Sequence, residues 1–233
     1  RQRQMCIRDR YRYDIPLPST LNQAEKDELR TVEQRLTTAL DIQKAPKEAV
    51  SKAYNVFQKA NIQRSGTGFT GAPILTPDEL DRSKGEISWN DLETMLSGFA
   101  YDAYYNHSET SRQNYFTVWD FAINQGFSFG SGMGTNHHYG YQVRKIYTTA
   151  WLMRDVIWKA PNRDNILSTL IFWSALQETR QPYQYGRDEL LDSWHTLLMA
   201  KTVSALLFTD ERERVRALKG LSRWVSSLSL IHI

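Results

Sequence analysis

The side chains best suited to chemistry in this sequence lie close together, just before position 142. A glycine-rich stretch over 126–134 is followed at once by Asn136, His137, His138, Tyr139 and Tyr141. Glycine lets a main chain approach a ligand closely, and amide, imidazole and phenol groups exchange hydrogen bonds or stack on flat rings. This combination indicates a binding site for a hydroxylated ligand.

The same residues precede a predicted helix that carries Arg144. Helix N-termini attract anionic groups, because unpaired N–H donors and the positive end of the helix dipole both lie there. We therefore expect the ligand to be anionic as well as hydroxylated. The residues alone leave an alternative open, in which His137 and His138 only cap the helix and satisfy buried polar groups.

Several other chemistries are disfavoured by the residue spacing. A phosphate-binding loop needs Gly-Lys-Ser/Thr after a strand, and a serine hydrolase needs a nucleophile elbow; neither pattern occurs. Adjacent histidines diverge and no His-x-x-x-His pair exists, so a metal site would require the fold to bring in His107 or His195. A glycoside hydrolase needs two carboxylates across a cleft, whereas Asp and Glu are scattered over polar helix faces here. We predict no metal and no cofactor.

Apolar side chains recur at helical spacing along almost the whole chain, and no strand-like alternation persists. Asn22 and Glu25 form a capping box for a helix over about 22–42, and a second helix is predicted over about 46–60. From Trp89 onward, further helical segments alternate with short turns. About eight helices joined in this way predict antiparallel hairpins and an all-α fold, closer to a toroid or solenoid of helix pairs than to a four-helix bundle.

Residues 61–86 interrupt this helical pattern. The segment 64–73 is rich in Gly, Ser and Thr and ends in Pro, a composition typical of loops. A loop of this length inside a compact domain often covers a functional cleft, and a plain surface excursion is the alternative. The sequence does not decide between the two.

Aromatic residues form 12% of the chain, including 7 Trp and 12 Tyr. Aromatic side chains at this density line sugar-binding clefts in some proteins and fill helical cores in others. We predict that most of these aromatic side chains fill the core.

Both ends of the chain look foreign to the domain between them. A coding of Met5–Asp9 is matched in reverse complement by a coding of the C-terminal Leu-Ser-Leu-Ile-His-Ile, and this pairing resembles one sequencing adapter translated at both ends. We therefore treat 1–10 and 228–233 as artefactual tails around a domain at 11–227. The alternative is a natural basic tail and a natural apolar tail.

Setting these tails aside changes what the charge implies. Lys and Arg number 29 and Asp and Glu 26, a formal net charge of +3, and this excess lies within residues 1–10. The remaining domain is near neutral, so we expect neither nucleic acid nor an anionic membrane surface as a partner. Cys6 falls in the same tail, which excludes a disulfide scaffold and a thiol nucleophile from the domain. No apolar run approaches the roughly 20 residues of a membrane span.

The region around the histidine pair resembles the chondroitin ABC lyase branch of polysaccharide lyase family 8. The resemblance rests on Gln125-Gly126-Phe127, Gly130-Ser131, His137-His138-Tyr139-Gly140-Tyr141, Arg144, Tyr147, Leu152-Met153 and Asp155. A weaker similarity extends from about Ile15 to Ser227. The resemblance implies an incomplete (α/α) toroid, secretion or export to the periplasm, and β-elimination at a uronic acid within chondroitin sulfate, dermatan sulfate or hyaluronan.

The resemblance also implies roles for individual residues. His137 is expected to contact the uronate carboxylate and His138 to assist it or to bind the sugar, so both are catalytic candidates. The substrate-binding candidates are Asn136, Tyr139, Tyr141 and Arg144. Of these, Tyr139 would stack on a pyranose face, while Tyr141 and Arg144 would support the site or bind sulfate.

Two of these assignments keep alternatives. Arg144 lies on the predicted helix, where a structural role is equally compatible with its position. Related lyases carry Asn and two Trp at the positions that here hold His137-His138-Tyr139. This departure leaves the preference between glucuronate and iduronate open.

The main acid–base residues of these lyases lie in a later His-x-Gly-Asn-Tyr-like stretch and beyond. The resemblance thus makes this chain the N-terminal portion of a catalytic domain, without the downstream half of the toroid and the β-sandwich domains. The expected partner is an anionic polysaccharide. A non-catalytic helical carbohydrate-binding or scaffold domain is the alternative, and the downstream sequence would distinguish the two.

Overall fold

The computed structural model describes residues 15–66, 68–71, 74–75, 86–125, 139–176 and 189–229. Within these ranges lie nine helices: α1 (Gln23–Leu40), α2 (Lys47–Ala60), α3 (Trp89–Tyr105), α4 (Glu109–Asn124), α5 (Tyr139–Leu152), α6 (Arg154–Ile157), α7 (Arg163–Leu176), α8 (Glu189–Leu206) and α9 (Glu211–Ser229). The all-α class is therefore confirmed. Closure of the helices into a toroid stays a prediction.

The first two helices begin and end within two residues of their predicted bounds. The Asn22 side chain accepts the Glu25 N–H at 2.9 Å, and the Glu25 carboxylate accepts the Asn22 N–H at 3.0 Å, which confirms the capping box. Helix α2 follows Pro46 and ends at Asn61, which takes a left-handed conformation with φ 47°. Local chemistry therefore accounts for both helices.

Part of the predicted loop over 61–86 is a β-hairpin instead. Strands β1 (Gln63–Ser65) and β2 (Gly68–Thr70) pair antiparallel, and Gly66 at the turn has φ +59°, a value that favours glycine. Strands β3 (Ile74–Leu75) and β4 (Ile87–Ser88) pair in parallel. The prediction of a loop was wrong for the residues of β1, β2 and β3, because strands of two or three residues are too short to show alternation.

Three helices lie at the centre of the helix packing. Helices α3, α5 and α8 make a row in which each contacts the next, while α2 and α4 pack on α3, and α7 and α9 pack on α8. Helix α1 contacts both α5 and α9. The short connections at 106–108 and 207–210 give antiparallel neighbours, as predicted.

Large aromatic side chains form much of the hydrophobic core. Those that are fully buried are Phe99, Tyr115, Trp119, Phe121, Tyr147 and Trp151. Each removes a large apolar surface from water, which is the main favourable contribution to folding. For these residues the core interpretation is confirmed.

Two observations bear on the remaining predictions. Helix α9 continues to Ser229 and so includes the first two positions of the predicted C-terminal tail, whose boundary stays a prediction. Among the described residues, no helix is long and apolar enough to cross a membrane.

Candidate functional site

The residues predicted to form the site precede or begin helix α5 in the sequence. Asn136, His137 and His138 lie outside the described residues, so their geometry is untested. Tyr139 and Tyr141 lie in the first turn of α5, where the structure describes the main chain. The helix thus begins at Tyr139, so Tyr139 and Tyr141 belong to α5 itself, whereas both were predicted to precede the helix.

Helix α5 is held in place by its C-terminal half. Tyr147 and Trp151 are buried, the Tyr147 hydroxyl donates to the Leu170 carbonyl oxygen, and the Trp151 indole N–H donates to the Thr37 hydroxyl at 3.1 Å. Buried aromatic rings with satisfied polar atoms leave a helix little freedom to rotate. The packing of the C-terminal half therefore fixes the position of the N-terminal half of α5.

The second turn of α5 carries two adjacent cations. Arg144 and Lys145 are both exposed, and within the described ranges neither side chain has an acidic partner at ion-pair distance. The first turn of the same helix contains no acidic residue. Because the helix dipole adds positive potential at this end, the arrangement favours an anion.

A carboxylate from another helix reaches the same turn. Oε1 of Glu93, on α3, accepts the main-chain N–H of Lys145 at 3.3 Å. Burial raises the pKa of the Glu93 carboxyl to about 7, against the opposing effect of Lys145 and Arg144. Glu93 therefore changes charge near neutral pH, next to the two cations.

A tyrosine on α3 also interacts with α5. Tyr101 is partly buried, and burial raises the pKa of its hydroxyl, while a hydrogen bond with Thr148 of α5 acts in the opposite direction. Its ring stacks on that of Tyr105, with centroids 6.4 Å apart and an interplanar angle of 28°. Glu93, Tyr101, Arg144, Lys145 and Thr148 together form what we call the α3–α5 seam.

Sequence reasoning identified only Arg144 among the seam residues. Glu93 follows the buried Leu92 and lies within the apolar series of α3. An acidic residue in a largely buried helix is unusual, and this was the feature of the sequence that could have identified Glu93. Nothing in the sequence indicated that Glu93 faces Lys145, which lies 52 residues further along the chain. That proximity arises from helix packing.

A concave surface lies between α4 and α7. It is a groove of about 1040 Å³, and its charged lining consists of Arg64, Arg112, Lys159, Glu109, Asp120 and Asp155. Arg112 pairs with Glu109 at 2.7 Å, and Arg64 lies 3.8 Å from Asp120. The three cations are balanced by three acids, so this groove has less attraction for a polyanion than the α3–α5 seam.

Comparison with known proteins identifies what the chain is similar to. The family model described as "Lyase, catalytic" matches residues 15–230. A chondroitin sulfate ABC exolyase from Bacteroides thetaiotaomicron is 26% identical over 91% of this chain and 23% of its own length. A chondroitin sulfate ABC endolyase from Proteus vulgaris is 26% identical over 78% of this chain and 20% of its own length. The chain thus spans a quarter or less of the curated relatives it matches.

Proposed function

The chain belongs to the lyase catalytic family, and we propose on that basis that it is part of a polysaccharide lyase that cleaves glycosaminoglycans by β-elimination. The proposed substrates are chondroitin sulfate and dermatan sulfate. The names of both relatives contain chondroitin sulfate, which supports this class of substrate. Hyaluronan, which shares the uronate but carries no sulfate, is the second candidate. Such polymers are extracellular, so we propose a secreted or periplasmic location.

The observation that carries this proposal is the pair of exposed cations on α5. Arg144 and Lys145 follow the histidine–tyrosine run by only a few residues, and no acidic side chain in the part of the chain that the structure describes lies at ion-pair distance from either. Uronate carboxylates and sulfate esters are the anions that a glycosaminoglycan would place against them. Hydroxyl groups of the sugar would meet the neighbouring imidazole and phenol groups.

The chemistry explains why a carboxylate-binding group matters. Removal of the uronate C5 proton leaves an electron pair next to the carboxylate, and a hydrogen bond that neutralises this carboxylate stabilises the enolate-like intermediate. The electron pair then forms a C4–C5 double bond while the C4–O bond breaks. An acid protonates the departing oxygen, which completes the elimination.

Each residue of the run has a proposed part in this reaction. His137 neutralises the carboxylate, and His138 assists it or hydrogen-bonds the sugar. Tyr139 stacks on a pyranose face, and Asn136 binds the substrate. Tyr141 supports the site. The main base and the main acid are supplied by residues outside these 233.

We expect the 233-residue chain alone to show no lyase turnover, because it lacks the proposed base and acid. The chain is incubated with chondroitin sulfate, dermatan sulfate and hyaluronan, and the ultraviolet absorbance of the unsaturated uronate is followed. A longer protein that includes the downstream part of the same reading frame serves as the positive control. Robust turnover by the short chain would show that the catalytic groups are misassigned.

We expect Arg144→Gln to weaken binding of a chondroitin sulfate oligosaccharide by about 5- to 10-fold, the loss typical of one charge-assisted contact. The matched control is Lys159→Gln, which removes an exposed cation from the balanced groove between α4 and α7. Isothermal titration calorimetry at low ionic strength measures both variants against the unchanged chain. Equal losses in the two variants would indicate unspecific attraction and remove Arg144 from the site.

A further inference from the structure

Glu93 is the one acid of the α3–α5 seam, and its position is defined by packing. It lies in the second turn of α3, beside the fully buried Leu92 and close to the fully buried Met95 and Leu96. Its Oε1 lies 3.3 Å from the main-chain nitrogen of Lys145. The carboxyl group therefore cannot move far from the turn that carries the two cations.

The charged groups around Glu93 come from two helices. Lys145 and Arg144 act on it from α5, and Tyr101, on α3 itself, is a titratable neighbour whose pKa the Glu93 charge raises. No charged group of α2 or α4, the other helices packed on α3, contributes within the part of the chain that the structure describes. The balance of charge on the seam thus depends on Glu93.

We propose that Glu93 determines how strongly the Arg144–Lys145 pair holds an anionic sugar: the ionised carboxylate competes with the ligand for the two cations, and protonation removes this competition. This inference rests on the proposed function, since it assigns Glu93 a part in the same anion site. Glu93 would act through Arg144 and Lys145 and need not touch the ligand. It would be a specificity-determining residue of the site.

The direction of the pH effect follows from the charge states. With a pKa of about 7, the Glu93 carboxyl is mostly neutral at pH 6 and mostly ionised at pH 8. An anion close to the seam disfavours the ionised form, so binding raises this pKa further and takes up a proton near pH 7. Binding should therefore weaken as the pH rises from 6 to 8.

The test is the isosteric change Glu93→Gln, whose amide oxygen still accepts the Lys145 N–H while the charge is lost. We expect Glu93→Gln to bind a chondroitin sulfate oligosaccharide about 5-fold more tightly than the unchanged chain at pH 8, and about equally at pH 6. Titration calorimetry in buffers of different ionisation enthalpy should detect proton uptake by the unchanged chain at pH 7, reduced in the variant. Proton uptake that the variant retains belongs to other groups, such as His137 and His138.

Two controls separate this effect from general charge and from damage to the fold. Glu28→Gln makes the same change in net charge on an exposed face of α1 and should leave both affinity and proton uptake unchanged. In a protein that already carries Arg144→Gln, the change Glu93→Gln should increase the affinity for the oligosaccharide by clearly less than 5-fold, because one of the two cations is absent. Circular dichroism melting establishes that each variant is folded.

The outcomes distinguish the inference from the function on which it rests. If the unchanged chain binds the oligosaccharide, and Glu93→Gln has the same affinity at pH 8 and the same proton uptake at pH 7, Glu93 has no part in the site, and the proposed function stands. If the unchanged chain binds none of the three polysaccharides, the proposed function and this inference are overturned together. A gain in Glu28→Gln equal to that in Glu93→Gln would likewise overturn the specific role of Glu93.

Discussion

In the longer lyase that we propose contains this chain, replacement of His137 by alanine is expected to lower kcat by about 10²–10³, with a smaller change in KM. If His137 neutralises the uronate carboxylate, its interaction strengthens as negative charge develops during proton removal. Loss of a group that acts mainly in the transition state lowers kcat. Steady-state kinetics on a defined oligosaccharide measure both constants.

Tyr139→Ala is the matched comparison within the same run. Stacking on a pyranose ring contributes about equally to the ground state and the transition state, so this change should raise KM more than it lowers kcat. If both residues instead have only a structural role, both variants would melt at lower temperature, and activity would fall in step with the folded fraction. A normal kcat in a well-folded His137→Ala enzyme would remove His137 from the site.

Gly98→Ala is expected to destabilise the chain by about 2–3 kcal/mol and to lower its melting temperature by roughly 5–10 °C. Gly98 lies where α3 crosses α2. A Cβ atom there would lie 2.5 Å from the Ala53 Cβ and 2.6 Å from the Ala49 carbonyl oxygen, so the helices would have to separate. This steric cost exceeds the gain of about 1 kcal/mol in helix propensity.

Gly68→Ala provides the control for this change. A Cβ atom at Gly68 would have no neighbour closer than 3.8 Å, so its melting temperature should stay within about 2 °C of that of the unchanged chain. Adding Ala53→Gly to Gly98→Ala should restore part of the loss, because it removes one of the two close contacts. Thermal unfolding followed by circular dichroism measures all of these variants. An unchanged midpoint for Gly98→Ala would contradict the close crossing of α2 and α3.

Features of this protein that depend on residues close together in the sequence could be predicted from the sequence alone. The apolar spacing predicted the helices, and the Asn22–Glu25 capping box set the start of α1 because both hydrogen bonds join residues three positions apart. The residue types of His137, His138 and Tyr139, together with their position at the start of a predicted helix, led to the expectation of an anionic, hydroxylated ligand, which stays a prediction. The similarity around that run also indicated the family, which the match over 15–230 confirms.

The features that only the tertiary structure decided join residues far apart in the chain. The contact of Glu93 with Lys145 and the burial of Trp151 against Thr37 depend on which helices pack together. Periodicity reports which face of a helix is apolar, yet it does not report which other helix covers that face. The same holds for Gly98, whose importance depends on how closely two helix axes approach. Local hydrogen bonds and spacing therefore determined the elements, whereas the pairing of apolar faces determined the charge environment of the α3–α5 seam.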